Sequence, residues 1–446
     1  MTAPSPARAL AIHVLERVAR DGAFADLALD AALARQRLTV RDTALATELT
    51  YGTLRWQRYL DWVLTPHSRR PLESLEPRVL AALRAAAYQI VFLERIPSFA
   101  AVNDAVSLAG TKPGIAGFIN AVLRAFARRG TREREPPAPP DPVEALAVRC
   151  SFPTWLAARW VARYGSEDAR ALMLALNERP PLTVRTNTLR LSRDELARRL
   201  NVEEERTSTP TPYAPEGLVV DHGGGPPASW RVFADGTCAV QDEASMLVAH
   251  LIEAAPGDTV ADVCAAPGTK TTHLAQLMAD RGRILAFDRA PSRLERVSQG
   301  AARLGVTIVE TRPGIVESLA PEYASSCDAV LVDAPCSNLG VLRRQPEVKW
   351  RRQPQELGRS ATEQRAILRA AATMVRPGGR LVYATCSLEP EENEDVVREL
   401  LTVRADFTID PPPSFPIPLD APGVLRCLPH RHGTDGFTAI RVRRAL

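Results

Sequence analysis

The chain has 446 residues, a formal net charge of +4, and 45% hydrophobic and 24% charged residues, enough for two or three domains of ordinary soluble composition. No apolar run reaches the roughly 18 residues of a membrane helix, and no basic stretch followed by an apolar core marks a secretory leader near the start. The seven cysteines form no CxxC pair, which argues against a disulfide framework or structural zinc and for free thiols in a reducing cytoplasm.

Residues 5–130 read as helices. Leu10, Val14 and Val18 recur every fourth residue. Leu75, Val79, Leu83, Ala86, Ala87, Ile90 and Leu93 share one face, as do Phe118, Val122 and Phe126. Pro97 and the turn Lys112-Pro113-Gly114 break the pattern. An all-α domain over 1–135 is expected, with Arg124, Arg128, Arg129, Arg132 and Arg134 crowded at its end as a phosphate-backbone binder would need. The proline-rich run Pro136–Pro142 is a stiff linker. Helices over 154–164 and 167–176, a strand over 182–187 and a helix opened by the capping pair Ser192 and Glu195 make a small α+β module spanning 143–230. From 235 to 446, strands are expected at 259–264, 283–288, 306–310, 328–333, 379–385 and 437–443, with helices between most of them. Repeated βα units imply a parallel sheet covered on both faces, an α/β Rossmann-like domain.

The strand ends carry the chemistry. Asp262-Val263-Cys264-Ala265-Ala266-Pro267-Gly268-Thr269-Lys270 follows the first strand and opens a helix. Small residues admit a ligand close to the backbone, and the helix N-terminus offers N–H groups to an anion. The second glycine of a P-loop is missing, so a methionine-type carboxylate is a better guest than a phosphate. Asp288 ends the next strand, where an acid accepts ribose hydroxyls. S-adenosylmethionine follows as the expected methyl donor.

Two cysteines then end two further strands, in Asp333-Ala334-Pro335-Cys336-Ser337 and Thr385-Cys386-Ser387. In an open parallel sheet both would face one crevice. Cytosine is electrophilic at C6. A thiolate added there makes C5 nucleophilic enough to take a methyl group, and a second group helps undo the adduct. Cytosine C5 and C6 are shielded in a stacked helix, so the target base must be unpaired or splayed out.

These runs resemble the RNA cytosine-C5 methyltransferases, specifically the RsmB (Sun, Fmu) branch acting on bacterial 16S ribosomal RNA. Further matches are Val240-Gln241-Asp242-Glu243-Ala244-Ser245, Arg344-Gln345-Pro346 with Trp350, Ser387-Leu388-Glu389-Pro390-Glu391-Glu392-Asn393-Glu394 and Asp435-Gly436-Phe437. The resemblance implies a NusB-like RNA-binding domain at the front, Cys386 as nucleophile, Cys336 assisting product release, Asp333 on the cytosine edge, and Lys270 beside that acid. It implies a donor site of Cys264, Ala265, Ala266, Pro267, Gly268, Lys270, Asp288, Arg289, Asp333 and Pro335. Arg343, Arg344 and Arg351, just after the Cys336 motif, are expected on RNA phosphates. No metal is expected, and a monomer is. The same reaction on tRNA, or an RNA-binding assembly or antitermination factor with a vestigial catalytic domain, are the alternatives. Two departures stand out. Thr269 replaces a glycine usual in the family, where φ > 0 would strain a β-branched residue. The acid expected on adenine after the third strand is missing, leaving Glu310 as substitute.

Overall fold

The computed structural model describes residues 4–110, 112–128, 135–221 and 225–446. Arg129, Arg132 and Arg134 of the expected basic cluster lie outside the described residues. The chain forms two compact units, Met1–Glu178 with Leu342–Arg351, and Arg179–Val341 with Arg352–Leu446.

The first unit is helical. Its main helices are Pro6–Arg20, Val40–Arg55, Pro77–Phe92 and Ile115–Ala127. The periodic residues face inward: Leu10, Val14, Val18, Val79, Leu83, Val122 and Phe126 are all buried. Thr39 caps its helix by accepting the Asp42 N–H at 3.1 Å, the role for which a short hydroxyl side chain is favoured. The helices Pro142–Arg149, Thr154–Tyr164 and Ser166–Asn177 pack in the same compact unit.

The second unit holds two sheets. The smaller has strands β1 (Leu182–Thr186), β2 (Ser208–Pro210), β3 (Gly217–Val220) and β4 (Cys238–Val240) in the order β2-β3-β1-β4, all antiparallel. Helix Arg193–Glu204, capped by Ser192, lays Leu196 and Leu200 against Val184, Leu218 and Val220.

The larger sheet contains β5 (Thr259–Asp262), β6 (Arg283–Asp288), β7 (Val309–Pro313), β8 (Cys327–Asp333), β9 (Val375–Thr385), β10 (Phe407–Ile409), β11 (Val424–Cys427) and β12 (Phe437–Arg444). Its order is β10-β12-β9-β8-β5-β6-β7, with β11 also on β12. On β8, Ala329 and Leu331 enter one core and Val330 and Val332 the other. Burial on both faces explains why the sequence reads as an unbroken apolar run. Strands β5 to β9 pair in parallel, but β10, β11 and β12 join antiparallel. The sheet is therefore mixed, not purely parallel as expected. The link from β11 to β12 is too short for the crossover that parallel neighbours need. Strand β7 begins at Val309 rather than 306. The Val306 N–H is spent on the preceding helix, bonding Ala301 O at 2.9 Å, and the Thr307 N–H on Asp280 at 3.0 Å.

Candidate active site

Strands β8 and β9 are direct neighbours, with Asp333 opposite Ala384. Their C-terminal loops therefore leave the sheet side by side. Cys336 Sγ and Cys386 Sγ are 3.3 Å apart. Two backbone hydrogen bonds tie the loops together, Ala334 N–H to Ala384 O at 2.9 Å and Gly340 N–H to Cys386 O at 2.8 Å, and a third, Gly436 N–H to Gly340 O at 2.9 Å, joins the β8 loop to the turn before β12. The hydrogen bond with Cys386, and then burial, push the Cys336 thiol well up, so Cys336 stays protonated at neutral pH. Asp333 receives the ammonium of Lys270 at 2.7 Å. Lys270 is buried, with its Nζ 4.7 Å from the centre of the Phe437 ring. The four expected catalytic side chains thus belong to the ends of β8 and β9 and to the helix that follows β5.

Sequence reasoning missed what holds the two loops in register. Glu392 is fully buried. Its carboxylate accepts the Ser337 N–H at 2.8 Å and the hydroxyls of Ser337 and Ser387, each at 2.5 Å. Gln364 adds an amide N–H at 3.2 Å. One carboxylate therefore grips the residue after each cysteine. The signal was the acid-rich run after Cys386, where nothing singled out one glutamate from four.

Gly340 sits where the loops cross. A Cβ there would lie 2.2 Å from Gly436 O and 2.8 Å from Cys386 O. Gly340→Ala is expected to cost about 1–3 kcal/mol of stability and to depress turnover by displacing Cys386. Gly358→Ala, with open space around it, serves as the control. A thermal melt with parallel rate measurements checks both.

The loop after β5 turns at Gly268, where φ is +101° and a Cβ would lie 3.0 Å from Val297 Cα. Thr269 is the first residue of helix Thr269–Leu277 and has no positive φ, so the strain anticipated there does not arise. Cys264, Ala265, Ala266 and Pro267 line this turn, with the Ala265 N–H bonded to Phe287 O at 2.9 Å. Asp262 lies beneath it, its carboxyl pushed up to about 7 by burial against the opposing Thr271 hydroxyl bond of 2.7 Å. Asp288 is buried at the end of β6. Its Oδ1 accepts the Ala290 N–H at 2.9 Å, and Arg293 stands 3.5 Å from Oδ2. Arg289 turns away to Glu363 at 2.9 Å. Pro335 presents its carbonyl to Gln364 at 2.9 Å.

Arg185 of β1, almost wholly buried, supports the loop after β5 from the small sheet. It donates to Thr269 O at 2.7 Å and Thr272 Oγ1 at 3.1 Å, and also to Gln241 and Gln276. Nearby, Glu216 Oε1 lies 2.7 Å from His273 Nε2 and 3.0 Å from His250 Nε2. This is the one group of metal-ligand composition among the described residues. His250 Nε2 is hydrogen-bonded to the Glu216 carboxylate, and burial drives His273 down to about 3, keeping it neutral.

Two expectations need correction. Glu310 does not reach the crevice: it is the second residue of β7, opposite Leu285, and pairs with Arg283 at 2.7 Å and with Arg312. The arginines after Cys336 divide. Arg343 is buried, and Arg351 donates to Val18 O at 3.2 Å and Ala23 O at 2.6 Å. Both belong to the segment packed within the helical unit. Lys349 secures it through Arg55 O and Asn177 Oδ1 at 2.7 and 2.8 Å, and Trp350 packs there with its N–H on Leu54 O. Arg344 is half-buried.

Fold and site together define a Rossmann-like methyltransferase joined to a NusB-type helical domain. Residues 249–443 match the 16S rRNA methyltransferase RsmB/F family, residues 5–128 the NusB family, and residues 152–225 the ferredoxin-like domain of the RsmF/B-like methyltransferases. The chain is 34% identical to a probable ribosomal RNA small subunit methyltransferase B of Bacillus subtilis, covering 98% of each chain. It is 35% identical to the ribosomal RNA small subunit methyltransferase B of Thermus thermophilus, covering 100% of this chain and 99% of that one. Among solved structures, PH0851 superposes over 100% of both chains with a TM-score of 0.83 at 28% identity. NSun6 from Pyrococcus horikoshii with SFG covers 66% of this chain and 99% of its own at a TM-score of 0.59 and 26% identity. The chain belongs to the RsmB/Sun family of ribosomal RNA small subunit methyltransferases. No helix among the described residues is long and apolar enough to cross a membrane.

Proposed function

We propose that the protein methylates C5 of a cytosine in 16S ribosomal RNA, using S-adenosylmethionine and a transient Cys386–C6 bond. The observation that carries this reading is the convergence of two thiols, 3.3 Å apart, beside the Asp333–Lys270 pair. Cys386 Sγ adds to C6, and the electron pair displaced from the C5–C6 bond makes C5 nucleophilic. Asp333 holds the cytosine edge, with Lys270 keeping its carboxylate oriented. Once C5 carries the methyl group, a base takes the C5 proton, the C5–H electron pair re-forms the C5–C6 double bond, and Cys386 leaves as the thiolate; Cys336, in its deprotonated form, assists as that base.

The cofactor loop fits an adenosylmethionine. Gly268 lets the loop turn at φ +101°, the helix after it opens with no side-chain cap, and Asp288 is a buried acid at the end of the next strand, the position from which a carboxylate accepts ribose hydroxyls. When bound, that donor supplies an electrophilic methyl group. Asp288→Ala is expected to weaken donor binding about ten- to a hundredfold, the worth of a charged hydrogen bond. Calorimetric titration with S-adenosylhomocysteine reads it.

Bisulfite mapping of 16S and transfer RNA from a strain lacking this protein tests the whole reading. Loss of one 16S 5-methylcytosine is expected. An unchanged 16S pattern, with or without a loss in tRNA, overturns the assignment.

A further inference from the structure

The third polar group at the two sulfurs is Asn338. It has φ +64°, a left-handed conformation that Asn tolerates better than most side chains. That turn sends its carboxamide back over the loop it belongs to. The Oδ1 atom lies 3.5 Å from Cys336 Sγ and 3.3 Å from Cys386 Sγ. One carbonyl oxygen thus faces both thiols, which themselves touch at 3.3 Å.

We infer that Asn338 is a positioning residue for the thiol pair: its carboxamide oxygen accepts the Cys386 S–H, while the Cys336 S–H is shared with Cys386, and so holds the two sulfurs together until a base enters. The inference rests on the reading of Cys336 and Cys386 as the reacting thiols. A carbonyl oxygen stabilises the S–H form and repels a thiolate, because its partial charge has the same sign. Reactivity of Cys386 is therefore restrained in the resting enzyme, and attack requires the amide to turn or be displaced.

The test is the pH dependence of Cys386 alkylation by iodoacetamide, followed peptide by peptide in the full-length protein by mass spectrometry. Asn338→Gly accepts φ +64° without strain and removes the oxygen. It is expected to move the alkylation midpoint down by about half a pH unit or more. Asn338→Asp keeps the turn and places a full negative charge there, and is expected to move the midpoint up. A Gly variant whose midpoint is unchanged or raised overturns the inference, whatever the Asp variant does. Alkylation needs neither RNA nor methyl donor. A failure here is therefore distinct from a failure of the proposed reaction, which persistent methyl transfer by Cys386→Ala would reveal.

Discussion

Cys386→Ala is expected to reduce methyl transfer to background while donor binding stays within about twofold of the wild type, since in the proposed reaction the lost sulfur forms the only covalent bond to the base. Cys336→Ala has a different expected signature. With Cys386 intact, the C6 bond still forms and the methyl group still arrives, but the adduct is not resolved. A slowly migrating enzyme–RNA species should accumulate on a denaturing gel and disappear in the double variant. The 3.3 Å contact between the sulfurs makes this contrast informative, because the two substitutions remove neighbouring atoms of equal size. Packing loss would therefore affect both alike, whereas the chemistry separates them. Normal turnover by Cys336→Ala without an adduct would sink the division of labour.

Glu392→Ala is the second large effect. It leaves a buried N–H and two buried hydroxyls, of Ser337 and Ser387, without their shared acceptor. Breaking such a buried charged network costs roughly 3–5 kcal/mol, or about 6–20 °C in a domain of this size. Glu392→Gln keeps the volume but offers N–H groups to donors, so part of the loss remains. Because Glu392 touches the residue after each cysteine, both variants should also lose catalytic rate at a temperature where they are still folded. Thermal unfolding followed by rate measurements below the transition decides this. A variant that melts early but turns over normally below its transition would restrict Glu392 to stability.

The helices of the first unit were legible because each carries a simple apolar period, as in Leu10, Val14 and Val18. The Ser192 cap and the position of Asp288 were legible for the same local reason. Other residues misled for lack of context. Arg343 and Arg351 read as contacts to RNA phosphates, yet Arg343 is buried and the Arg351 guanidinium is spent on backbone carbonyls. Glu310, the expected substitute for the missing adenine acid, is the second residue of β7, since the backbone of 306–307 is used elsewhere before the strand starts. Thr269 seemed strained only until the left-handed residue proved to be Gly268.

By itself the amino-acid order determined which atoms are available for chemistry and that each stands at the end of a strand. Runs such as Ala329–Val332 and Leu381–Ala384 are apolar throughout because both faces of their strands are covered, and that burial is written locally. What the tertiary structure alone decided is adjacency. Strands β8 and β9 are separated by some forty residues yet lie side by side, and only that pairing brings two sulfurs, one amide and a buried carboxylate to one point. Hydrogen bonds between distant strands leave no periodic trace in the chain, so no reading of spacing could have found them.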